Sequence, residues 1–152
     1  MLLRPGHWLG RGLLLAEGQS LGRGVSCEVE VSEYGDGYTV KAEIDIKEVG
    51  ARAMSVRIAA NDVGTYEISV RTLAETYAGT AKLDSPPNLG LLWNEAATSY
   101  VTFALFAVSG GIGFRGFLRD GTTTYTWEIA LSLKQDVISG DNVISLANRR
   151  GR

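Results

Sequence analysis

The chain has 152 residues, the size of one domain at roughly 100 to 200 residues each, so residues 1–152 are expected to form a single fold. With 45% hydrophobic residues and 15 Lys and Arg against 17 Asp and Glu, a net charge of 15 − 17 = −2, the composition excludes a disordered polyelectrolyte and a broad basic surface for nucleic acid. One cysteine and one histidine cannot make an internal disulfide or a zinc centre, and no metal or cofactor is expected.

Met1–Leu3 is followed at once by Arg4, Pro5 and Gly6, and Leu13–Ala16 is too short for the apolar stretch of a secretory signal. No run approaches the roughly 18 apolar residues of a spanning helix. A cytoplasmic protein without a membrane partner is the expectation.

The dominant signal along the chain is period two. Val25, Cys27, Val29 and Val31 alternate with Ser26, Glu28, Glu30 and Ser32, and Tyr38, Val40, Ala42, Ile44 and Ile46 alternate with polar residues in the same way. Tyr34-Gly35-Asp36-Gly37 joins these two strands as a hairpin. A second hairpin is expected from Met54, Val56 and Ile58, a turn at 61–64, and Tyr66, Ile68 and Val70. A weaker strand over 77–83 ends at Pro86-Pro87, and a short one covers 91–93. Residues 100–108 are apolar at nearly every position, so both faces of that strand need cover. Residues 112–119, a turn at Asp120-Gly121, the strand through Tyr125, Trp127, Ile129, Leu131 and Leu133, and a last strand over 143–148 complete the chain.

This pattern predicts an all-β, antiparallel up-and-down barrel of eight to ten strands, since closure removes both sheet edges. The alternative is a β-sandwich, with crossovers in the longer connections at 17–23 and 84–89.

Motifs that suggest chemistry lack its context. Gly18-Gln19-Ser20-Leu21-Gly22 spells the nucleophile elbow, but that motif needs a helix behind it and a later histidine, whereas His7 precedes Ser20. Gly111-Ile112-Gly113-Phe114-Arg115-Gly116 spells a dinucleotide fingerprint and is followed by a strand end and a hairpin turn instead of a helix. Glu28, Glu30, Glu43 and Asp45 fall on polar faces, and Glu128 shares its face with threonines, so all read as solvated carboxylates. Cys27 reads as a small buried hydrophobe. No catalytic residue is assigned.

Gly6-His7-Trp8 matches the G-x-W opening of the first lipocalin strand, and Trp8 to Gly12 resembles the W-x-G-x-G opening of nitrobindin-type and related calycin barrels. The resemblance implies a lipocalin-like barrel whose tryptophan closes the floor and packs on an arginine of the last strand, here Arg149 or Arg150. Later lipocalin motifs are absent, and residues 112–152 contain no histidine, so haem held as in nitrobindins is not expected.

The same resemblance implies non-catalytic binding of a small hydrophobic molecule, fatty-acid- or isoprenoid-like, inside the barrel. The aromatics of the second half suit such a pocket, and equally a plain core. The candidate ligand-binding residues are Trp93, Tyr100, Phe106, Phe114, Arg115, Tyr125 and Trp127. Arg115 is the ambiguous one: alternation turns it outward with Phe117, whereas a bulge near the glycines would turn it inward towards a ligand carboxylate. The competing functions are a barrel enzyme of cyclase or isomerase type and an assembly module with a solid core. The doubly apolar strand at 101–107 leads to the further expectation of a homodimer.

Overall fold

The computed structural model describes residues 1–134, and all regular structure among them is β. The ten strands are β1 (Gly6–Ala16), β2 (Arg23–Tyr34), β3 (Gly37–Ile46), β4 (Gly50–Ala60), β5 (Tyr66–Thr72), β6 (Thr76–Lys82), β7 (Asn88–Asn94), β8 (Ser99–Val108), β9 (Gly111–Asp120) and β10 (Thr123–Leu133). Each pairs antiparallel with its sequence neighbours, and β1 pairs with β10, so the sheet closes into an up-and-down barrel. The connections at 17–22 and 83–87 join adjacent strands and are not crossovers, which removes the sandwich alternative. The strand expected at 143–148, together with Arg149 and Arg150, lies outside the described residues. Among the described residues no helix is long and apolar enough to cross a membrane.

Each strand carries an apolar face, and pairing β1 with β10 wraps all of those faces around a common axis and leaves no sheet edge. The wrap is strongly staggered. The row of paired residues that begins at Trp8, near the start of β1, runs through Val29, Ala42 and Met54 and reaches Thr72 at the far end of β5. Such stagger brings neighbouring backbones close. A Cβ on Gly79 would stand 1.9 Å from the carbonyl oxygen of Leu91, so only glycine fits there.

One end of the barrel is sealed. Trp8 is 3% exposed, and its Nε1 donates to the Arg4 carbonyl at 2.8 Å. Met1, Leu2 and Leu3 pack against the same cluster, the Leu2 amide donates to Asn88 Oδ1 at 3.2 Å, and Leu83 is fully buried beside them. The tryptophan therefore lies in the barrel floor, as the opening motif implies.

Strand β8 resolves its own ambiguity through register. Val101, Phe103 and Leu105 belong to the core side, and Tyr100, Thr102, Ala104 and Phe106 face out.

Candidate functional site

The other end of the barrel carries the loops at 17–22, 47–49, 73–75, 95–98 and 121–122. Along several strands the inward side chains lose burial towards it. In β3, Val40 and Ala42 are buried and Ile44 and Ile46 half-buried; in β9, Ile112 is buried and Phe114, Gly116 and Leu118 half-buried; in β10, Leu131 is buried and Ile129, Trp127 and Tyr125 half-buried. A core packed to ordinary density would bury its middle from every side. Here the interior beside β3, β9 and β10 reads as an apolar cup that opens towards the loops, while Val25, Leu92, Asn94 and Ser99 stay buried elsewhere at that end.

Aromatic rings build one wall of the cup. Phe103 lies over Gly90, whose added Cβ would come within 2.3 Å of the ring, and Trp127 lies over Gly116 at 2.6 Å. Phe114 stands between them, its ring centroid 6.0 Å from that of Phe103 and 5.6 Å from that of Trp127. Glycine opposite each ring lets it lie flat against the wall, which keeps lumen space that an upright ring would fill. Met54, Val70 and Tyr77 contribute from strands distant in sequence.

Polar groups are few and mostly committed to one another. Tyr77 Oη and Ser99 Oγ are 2.9 Å apart, and Ser99 is fully buried. Asn94 Oδ1 accepts from the amides of Thr98 and Ser99, and its Nδ2 donates to Glu75 Oε2 at 2.8 Å, which ties two mouth loops together. Cys27 faces inward and is half-buried; burial pushes its thiol above the usual value, partly offset by a hydrogen bond with the Gly10 backbone. Trp127 Nε1 is buried without a hydrogen-bond partner among the described residues.

The structure divides the seven candidate residues. Phe114, Tyr125 and Trp127 face the cup. Trp93, Tyr100, Phe106 and Arg115 face outward and are not part of it, because β7, β8 and β9 keep strict register through the glycines with no bulge. Trp93 pairs across to Tyr100 with centroids 4.9 Å apart. Arg115 stands opposite Ala104 and Glu128; its Nε donates to Glu128 Oε1 at 3.1 Å, and its guanidinium lies 5.0 Å from the Phe106 ring. Arg115 is thereby removed as an inward partner for a ligand carboxylate. Phe103, absent from the seven, belongs to the cup, and its shared parity with Leu105 is the signal that places it there.

The two pseudo-motifs are structurally silent. Ser20 lies in the 17–22 loop and His7 near the opposite end of β1, while residues 111–116 form the start of β9 with no helix behind them. The outside of β1–β5 bears an open groove of about 610 Å³ lined by His7, Glu28, Glu30, Lys41 and Glu43 among others. His7 Nε2 lies 3.7 Å from Glu30 there, both side chains largely in water. Among the described residues no group of three His, Cys, Asp or Glu side chains is placed to hold a metal ion.

No protein-family model matches the chain, and a search of curated proteins finds no match to it.

Proposed function

We propose that the protein binds and carries one small apolar molecule, fatty-acid- or isoprenoid-like, inside the barrel without transforming it. The observation that carries this reading is the partial burial of the inward apolar side chains in the loop-side half of β3, β9 and β10, against the buried Val40, Ala42, Ile112 and Leu131 nearer the Trp8 floor. Concave, mostly apolar walls with a few fixed polar groups are what small-molecule sites are made of. The resemblance of the Gly6-His7-Trp8 opening to lipocalin-like barrels supports it. So do three apolar side chains on the mouth loops, Leu21 at 81%, Val49 at 44% and Leu73 at 101% exposed, which stand among the charged Glu17, Lys47, Glu48, Glu75 and Glu95 and offer an entering apolar ligand first contacts. A free thiol at Cys27 suits a reducing compartment, so we place this carrier in the cytoplasm.

The test is displacement of the neutral fluorophore 1-aminoanthracene by a long-chain fatty acid and by the matching alcohol. The acid is expected to compete at least as well as the alcohol, since Arg23 and Arg52 occupy inward-facing positions at the mouth whereas Arg115 does not. Val101→Trp, which adds bulk to the cup wall, should weaken binding at least tenfold with the thermal transition retained. A wild-type protein that takes up neither probe nor competitor refutes the carrier reading and leaves a solid-core module. Consumption of a bound ligand would favour an enzyme.

A further inference from the structure

The outer wall of the barrel is as uneven as its interior. On β2 and β3 the outward residues include Glu28, Glu30, Lys41, Glu43 and Asp45, as a solvated sheet should. On β6–β10 they are largely apolar or uncharged, and the pairing places them in contiguous rows. One row runs Ala78, Trp93, Tyr100; the next Thr80, Leu91, Thr102, Phe117, Thr126; the next joins Leu89 to Ala104. Leu89, Leu91 and Trp93 are 46%, 42% and 43% exposed. Tyr100 bridges Trp93 and Phe117, whose ring centroid is 6.0 Å from its own.

The charges on this face are already answered. Arg115 is held by Glu128 at 3.1 Å, and Arg119 donates to Thr124 Oγ1 at 2.7 Å and lies 3.5 Å from Glu17. Lys82 turns away to the carbonyls of Ser85 and Pro87 at 2.7 and 2.9 Å. The face therefore offers no free positive field to a phosphate-bearing partner.

We infer that this face is the interface between two copies of the chain, packed sheet on sheet about a two-fold axis near Thr102 and Ala104. Two features favour a second copy over another occupant. The charges on the β9–β10 side form internally neutral pairs, Arg115 with Glu128 and Arg119 with Glu17, and the β6–β7 side carries only Lys82, so a two-fold mate does not force like charges together. Low residues, Thr102 and Ala104, run beside the ridge of Trp93, Tyr100 and Phe117, so a ridge on one copy has a furrow on the other. A lipid belt would instead have to encircle the barrel, across the charged wall of β2 and β3. The inference is independent of what the cup holds.

Light scattering across a micromolar concentration series is the test. The wild type is expected to approach twice the 16.3 kDa of one chain. Leu91→Glu with Trp93→Glu should raise the dimer dissociation constant at least a hundredfold, with the circular dichroism of the fold retained. Ser32→Glu with Ser55→Glu, on the β2–β4 wall, should leave the dimer intact. As an independent readout, Thr102→Cys in a Cys27→Ser background should cross-link efficiently with a short bis-maleimide and Ser32→Cys should not. A wild type that stays a 16.3 kDa monomer, a dimer indifferent to Leu91→Glu and Trp93→Glu, or a monomer that floats with phosphatidylcholine vesicles overturns the proposal, the last by giving the face to lipid.

Discussion

Two tryptophans show how much one hydrogen bond decides at the residue scale. Trp8 and Trp127 both face inward, but Trp8 Nε1 has the Arg4 carbonyl at 2.8 Å, whereas Trp127 Nε1 is buried with no partner among the described residues. Replacing each by phenylalanine removes an indole N–H. At position 8 this orphans a carbonyl in the floor; at position 127 it relieves a desolvated donor. Trp8→Phe is therefore expected to cost about 1 to 3 kcal/mol more than Trp127→Phe, read from urea midpoints at constant slope. Tyr66 supplies the pH dependence. Its hydroxyl donates to Asp84 Oδ1 at 2.7 Å, and this bond, with burial and the nearby carboxylate charge, pushes the phenol from 10.0 up to about 12. The protonated phenol is the bonded form, so its contribution to stability is complete below pH 10 and is lost as the pH rises through about 12. Asp84→Asn should bring one tyrosine titration back towards 10, visible as a tyrosinate absorbance difference against the wild type. An unchanged titration curve would show that Asp84 does not hold Tyr66.

For a strand, what matters is where the neighbouring backbone runs. Gly79 in β6 and Gly24 in β2 look alike as letters, but a Cβ at Gly79 meets the Leu91 carbonyl at 1.9 Å and one at Gly24 meets nothing within 4 Å. Gly79→Ala must push β7 away and is expected to cost about 1 to 3 kcal/mol. Gly24→Ala should be neutral or stabilising by about 0.5 to 1 kcal/mol, because alanine loses less backbone freedom in a strand. Chemical denaturation of the two variants side by side checks both, and equal effects would contradict the close approach. Strand β8 makes the companion point. Its inward Val101, Phe103 and Leu105 face the common core, while its outward Tyr100 and Phe106 are only half-buried by neighbours on the same wall. The second apolar face is thus left for something outside the barrel.

The whole molecule is uneven in two directions. From end to end it passes from the sealed Trp8 floor, plugged by Met1–Leu3, to the half-buried cup. From wall to wall it passes from the charged exterior of β2 and β3 to the apolar exterior of β6–β10. The two axes are separable because successive side chains of a strand point to opposite faces. Substitutions at Leu91 or Trp93 alter the outer face and leave Leu92, between them, in the core. Ligand uptake and self-association can therefore be measured in variants that change one without the other.

Alternation, turn chemistry and the lack of any helical period were enough to specify an all-β meander, its hairpins and the buried face of the cleanly alternating strands, such as those through Val25–Val31, Tyr38–Ile46 and Tyr125–Leu133, since these depend only on neighbours along the chain. The floor position of Trp8 was legible from a three-residue motif. Which aromatics share a space was not. Trp93, Tyr100, Phe106 and Arg115 sit close in sequence to Phe103, Phe114 and Trp127, yet the two sets lie on opposite sides of one sheet. Shifting the count by a single bulge would exchange them, and nothing local to 110–116 reveals that β9 has none. Closure of β1 onto β10, the stagger that carries Trp8's row to Thr72, and the meeting of Phe103 with Gly90 and of Trp127 with Gly116 all join positions far apart or on different strands. Those contacts form only when the ten strands curl together, and so tertiary structure alone decided the cup.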